Sequence, residues 1–204
     1  MRQMLKAVAM LALAVGATNV PLAQNRQVAP DVPPEFRFLV RGSVGSAKQL
    51  QEAWDALPLD SITLERTQCF GACPAYSVTF YKRTAAVKKG EQTYENAFGR
   101  AELVVTVPGR SAPRFARFPE AIGTFTGWVH LFTFARLSLL IHTQGFAAMP
   151  EGSLKNASGS DSSGTAVSVT GRLKRTVVGE WPMQLWSIEQ AIDSAAKDIN
   201  WTRK

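Results

Sequence analysis

Apolar and polar positions along the chain switch between two periods. Between residues 46 and 57 the spacing is helical: Leu50, Ala53, Trp54 and Leu57 share one face, Ser46 stands at the N-cap position, and Pro58 closes the stretch. Elsewhere the period is two. Ile62 and Leu64 alternate with Thr63 and Glu65, and Tyr76, Val78 and Phe80 alternate with Ser77, Thr79 and Tyr81. These runs, Ile62–Thr67 and Tyr76–Tyr81, predict two paired strands around a Gly- and Pro-containing loop. Phe36, Phe38 and Val40 alternate with Arg37, Leu39 and Arg41, which predicts a first strand. Residues 102–107 are β-rich and end at Pro108-Gly109, a turn signal. Residues 115–126 fit either period. The long apolar run Trp128–Ile141 reads as a buried helix. Thr165–Thr170 and Leu173–Val178 flank Gly171-Arg172 as a hairpin. A last helix follows, with Pro182 in its first turn and a stripe of Leu185, Ile188, Ile192, Ala195 and Ile199. Paired strands with helices between and after them predict an α+β fold, a mainly antiparallel sheet with a buried central helix and a C-terminal amphipathic helix.

The ends and joints divide the chain further. Arg2 and Lys6 precede an uncharged apolar run, Ala7–Ala17, and small residues offer cleavage after Ala17 or Ala23. That is the pattern of a secretory signal over residues 1–23; the run is shorter than the roughly 20 residues a membrane span needs. Residues 24–35, with Pro30, Pro33 and Pro34, read as an extended tether. Residues 36–204 are then a single domain. Lys82–Gln92 reads as a turn or excursion, and the Ser- and Gly-rich residues 151–164 as a surface loop. The expected location is periplasmic or secreted, with no transmembrane span after cleavage. The net charge of +7 falls to about +5 when Arg2 and Lys6 leave. This suits an unknown envelope ligand or protein of anionic character, and does not call for nucleic acid.

Chemistry concentrates in Cys69-Phe70-Gly71-Ala72-Cys73-Pro74, which holds both cysteines. In an exported chain two near thiols favour a disulfide. Closing so short a loop is worth only about 2 kcal/mol in the chain-entropy model, a local staple and not a support of the whole fold. A second reading takes the same Cys-x-x-x-Cys-Pro pattern, shared with the Sco copper chaperones, as a Cu(I) site completed by His130 or His142, because thiolates and imidazole suit that ion. A third is thiol redox exchange, although the spacing is not Cys-x-x-Cys. Arg110, Arg114 and Arg117 interleave with Phe115 and Phe118, a candidate basic and aromatic binding surface or a solvated arginine face. Ser194–Lys197 has the Ser-x-x-Lys spacing without the companion motifs of serine acyltransferases, and residues 42–48 lack the spacing of a phosphate-binding loop. No catalytic residue set stands out, and a binding role is expected ahead of an enzymatic one.

Residues 62–81, ITLERTQCFGACPAYSVTFY, resemble the opening of DUF6438, a bacterial domain of unknown function: a strand, Cys-Phe-Gly-x-Cys-Pro-x-Tyr, and a second strand. Asp161 with the Thr165–Thr170 strand, the Lys174–Val177 strand and the Ile192-Asp193 helix follow in that family's order, so the resemblance spans about 61–201. Lys82–Gln92 is longer than the tight turn usual there, and Trp128–Gln144 aligns poorly. The resemblance implies an α+β fold and a place in the envelope, and brings no activity.

Overall fold

The computed structural model describes residues 32–41, 46–68, 73–83, 87–89, 92–94, 98–108, 119, 121–154, 164–179 and 183–204. The expected signal, the larger part of the expected tether and the Ser- and Gly-rich residues 155–163 lie outside them. The first described elements are a 3₁₀ turn, Pro34–Phe36, and the short helix α1, Arg37–Arg41. This corrects the strand expected at 36–40. Pro34 sits at the first helical position, where its fixed φ favours helix and its missing N–H costs nothing. Phe36 then becomes fully buried, with Phe38 and Leu39 packed against the core. Helix α2, Ala47–Ala56, is held by a capping box: the Ser46 side chain accepts from the Gln49 amide, and the Gln49 side chain accepts from the Ser46 amide.

The strands are β1 (Leu59–Arg66), β2 (Ala75–Tyr81), β3 (Val87–Lys89), β4 (Gln92–Tyr94), β5 (Phe98–Val107) and β6 (Gly123–His130). Helix α3 (Leu131–Thr143), strands β7 (Thr165–Gly171) and β8 (Arg175–Val178), helix α4 (Met183–Lys197) and the two-residue β9 (Thr202–Arg203) complete the order. Among the described residues seven strands form one sheet, β8-β7-β1-β2-β5-β6-β9, antiparallel at every pairing; β3 and β4 form a separate small hairpin that begins inside the expected excursion at Lys82–Gln92 and runs past its end. The α+β, mainly antiparallel architecture is therefore as expected. The helix boundary is not: Trp128, Val129 and His130 belong to β6, where Trp128 pairs with Arg100 of β5, and α3 begins at Leu131. Helix α3 itself is the buried central helix, with Phe134, Ala135, Leu137 and Ile141 inside.

One face of the sheet carries the core. Ile62 and Leu64, Val78 and Phe80, Ala101, Leu103, Val167 and Val169 are essentially inaccessible there and join a single cluster with α3 and α4. The other face alternates to Thr63, Thr79, Glu102 and Thr126, as period-two strands with one solvated side require. Among the described residues, no helix is long and apolar enough to cross a membrane.

Lys82, just after β2, closes the C-terminus of α2. Its Nζ donates to the carbonyls of Asp55 at 2.9 Å and Leu57 at 2.7 Å, and the residue is only 4 % exposed. Cations at the last helical carbonyls satisfy acceptors that have no intrahelical partner. Burial pushes the ammonium below its usual range, with Asp60 opposing. Lys82→Met keeps the stem and strands both carbonyls. It is expected to cost about 1–3 kcal/mol in urea denaturation; a loss below measurement error would show that water replaces the amine.

Candidate functional site

The alternation that fills the core ends in polar groups at one end of the sheet. In β1 the inward series runs Ile62, Leu64, Arg66; in β2 it runs Phe80, Val78, Tyr76. Arg66 and Tyr76 are register partners, so the positions flanking the cysteine loop meet across its root. Helix α4 brings Glu189 and Asp193, one turn apart, to the same place.

The guanidinium of Arg66 is the hub. Its Nη2 donates to Asp193 Oδ2 at 2.8 Å and lies 3.4 Å from Glu189 Oε2. Its Nε donates to the Tyr76 hydroxyl at 3.1 Å and its Nη1 to Thr165 Oγ1 at 3.2 Å. The Tyr76 hydroxyl in turn donates to Asp193 Oδ1 at 2.5 Å. Side-chain exposure is 16 % for Arg66 and 8 % for both carboxylates, so these charges lie largely away from water. A buried ion pair is tolerated only where further hydrogen bonds satisfy the remaining donors and acceptors, and here they do.

The electrostatics follow from burial and pairing. Burial opposes the charge on Arg66, but Asp193, with Tyr76 and Glu189, outweighs it and the pKa rises. Burial and then the Asp193 carboxylate push Tyr76 well above the usual phenol range, so it stays a protonated donor. Burial raises Glu189, with Arg66 pulling the other way. An acid raised by folding binds more protons native than unfolded between the two pKa values. Stability therefore falls as pH climbs from the ordinary carboxylate range to the raised value. Glu189→Gln stays neutral beside Arg66, Asp193 and Tyr76, so the variant is expected to gain on the wild type along a pH series rising from the ordinary carboxylate range. Urea midpoints along that series test this; parallel curves would contradict it.

Three neighbouring segments share this end of the sheet. Cys73 stands just before β2, Ala75 pairs with Val107 at the end of β5, and Thr165 opens β7 beside Arg66. Thr67 and Gly164 are tied reciprocally: the Thr67 amide donates to the Gly164 carbonyl at 2.9 Å and the Gly164 amide to Thr67 Oγ1 at 2.8 Å. Residues 69–72, 109–118 and 155–163, which adjoin these segments in sequence, lie outside the described residues. Cys69, Arg110, Arg114, Phe115 and Arg117 fall outside the described residues, as does Asp161. Cys73 is described, and among the described residues no cysteine is free.

The histidines are placed elsewhere. His130 ends β6 opposite Phe98, at the start of β5, whereas Val107 at the far end of that ten-residue strand lies by Ala75. That separates His130 from the cysteine end by roughly 30 Å of strand. His130 caps α3, its Nδ1 accepting from the Phe132 amide at 3.3 Å. His142 sits in the last turn of α3, its ring 6.2 Å from that of Phe36. About 18 Å of helix lies between the two, so they do not converge on one site. Among the described residues no group of three or more His, Cys, Asp or Glu is placed to hold a metal ion.

Sequence reasoning places Arg66 in the run before the cysteine motif, three residues ahead of Cys69, and Asp193 in the last helix. It misses the pairing of Asp193 with Arg66 and Tyr76, and Glu189 altogether. The available signal is a polar residue where each strand's inward alternation should carry an apolar one, and two acids directly after Ile188 and Ile192 on the α4 stripe.

A seven-stranded antiparallel sheet with two helices on one face, pinned at the loop root by an Arg–Tyr–Asp cluster, defines an α+β domain. The chain belongs to the DUF6438 family: the model of that domain of unknown function matches residues 60–196, from the start of β1 to the last turn of α4. No curated protein and no solved structure matches the chain.

Proposed function

We propose that this is an exported, non-catalytic binding protein of the cell envelope, which presents the Cys69–Cys73 loop as a stapled surface feature. The observation that carries the reading is the Arg66–Tyr76–Asp193 lock at the root of the loop. Its donors and acceptors are spent on one another, and its tyrosine is held protonated, so the cluster supports a rigid mount and offers no activated nucleophile. The signal-like residues 1–23 support export, and an oxidising compartment favours a disulfide across so short a spacing. The excess of basic residues in the mature chain suits a periplasmic or secreted protein facing anionic envelope material.

Cu(I) titration of the protein purified from periplasm tests this against copper or thiol handling. The expected result is no stoichiometric binding without reductant, and a modest stability loss for Cys69→Ser. Stoichiometric Cu(I) binding by the untreated protein, abolished in Cys69→Ser, would overturn it.

A further inference from the structure

The face of the sheet turned away from α3 and α4 is ordered chemically in rows. One row crosses all seven strands: Thr176, Ser168, Thr63, Thr79, Glu102, Thr126 and Thr202 are successive register partners. Thr63 and Thr79 share a hydrogen bond of 3.0 Å, as do Ser168 and Thr176. The next row runs Ser61, Tyr81, Arg100, Trp128. The Arg100 guanidinium lies 5.3 Å over the Tyr81 ring, and Trp128 is 50 % exposed.

At the outer edge of β6 this face meets, at Trp128, a cleft of about 260 Å³ that also reaches Thr133 of α3 and Ala195 of α4. Trp128 forms one wall, and Val129 and Ile199 give apolar surface. His130, Thr133 and Asp198 add an imidazole, a hydroxyl and a carboxylate. The amide of Phe132 donates to His130 Nδ1.

We propose that this cleft and the adjoining row bind a glycan, with one pyranose ring seated against Trp128. The chemistry matches on each side. A pyranose presents an apolar C–H face to an aromatic ring and vicinal hydroxyls to a carboxylate and a hydroxyl at its rim. A chain of such rings continues over hydroxyls spaced at the inter-strand distance of about 4.8 Å. The inference goes beyond the binding reading above: it places a ligand at a second site, away from the cysteine loop. The cleft lies at the opposite end of β5 and β6 from Cys73, so its test is read independently of the thiols.

Isothermal titration of the full protein with chitotetraose and, separately, cellotetraose tests it. The expected result is saturable binding of at least one, weakened about tenfold in Trp128→Ala, which corresponds to ~1.4 kcal/mol. Binding should be unchanged in Trp186→Ala, which removes a similarly exposed tryptophan of α4 outside the cleft. Thermal melts of both variants check folding, and Trp128→Phe, which keeps an aromatic face, is expected to restore most of the affinity. No saturable heat with either sugar up to about 10 mM, well above ordinary lectin-like affinities, would overturn the proposal. So would equal affinity in Trp128→Ala and wild type.

Discussion

Asp193→Ala is expected to destabilise the domain by about 3 kcal/mol, within the range for breaking a buried ion pair from one side. The substitution removes both carboxylate oxygens of Asp193 at once: Oδ2, bound to Arg66, and Oδ1, bound to Tyr76. Arg66 keeps Glu189 at 3.4 Å, which limits the loss. The Tyr76 hydroxyl loses its acceptor. Tyr76→Phe removes only the hydroxyl and is expected to cost about 1.5–3 kcal/mol, the value of a hydrogen bond to a charged group. The double variant should cost less than the two losses added, because both act on the same carboxylate. Urea denaturation gives the three numbers. Hydrogen exchange gives a readout closer to the proposed role: amides from Glu65 to Thr67 and from Ala75 to Ser77 should exchange faster in Asp193→Ala, while those of Ile62 and Phe80 change less. A cost under about 1 kcal/mol, within the range of an exposed pair, would mean that the cluster does not anchor the loop.

Gly171→Ala is the second large effect, and it arises from backbone geometry. Gly171 has φ +128°, which L side chains rarely adopt. A Cβ there would stand 2.5 Å from the Pro58 carbonyl oxygen and 2.7 Å from the Asp60 nitrogen, both backbone atoms that cannot swing aside. The contact matters to the fold because the β7–β8 turn rests on the start of β1: Gly171 pairs with Leu59, the Arg172 amide donates to the Pro58 carbonyl at 2.8 Å, and the register shifts between Leu59 and Ser61. Conformational strain alone costs of order 1–3 kcal/mol, and the clash adds to it, so a loss of at least about 2 kcal/mol is expected in the same denaturation assay. Gly145 supplies the contrast. Its φ is +68°, and a Cβ added there would meet nothing within 4 Å. Gly145→Asn should be nearly neutral, since Asn enters the left-handed region readily. Equal effects at the two glycines would contradict the steric explanation.

The elements with local signatures are legible in the chain. Ser46 and Gln49 cap α2, alternation defines β1 and β2, and Gly171-Arg172 marks the β7–β8 turn. Two expectations fail for identifiable reasons. At 36–40 a short alternation reads as strand, yet Pro34 starts a helical turn that buries Phe36 completely. At 128–130 the apolar run continues unbroken from β6 into α3, and periodicity cannot divide a strand from a helix there. The boundary is set by pairing with β5, a contact remote in sequence. The cluster is less legible still. Asp193 lies 127 residues from Arg66 and 117 from Tyr76, and only the sheet order and the path of α4 bring them together. What the sequence does show is each strand's inward alternation ending on a polar residue beside the cysteine motif.

A stapled loop held on a rigid mount is the central claim, and counting thiols in the protein purified from periplasm tests it most directly. Titration before and after reduction, alongside the intact mass, is expected to find no reactive thiol at first and two after reduction, with a mass corresponding to cleavage after Ala17 or Ala23. Two free thiols in the untreated native protein would contradict the staple and return Cys69 and Cys73 to metal or thiol chemistry.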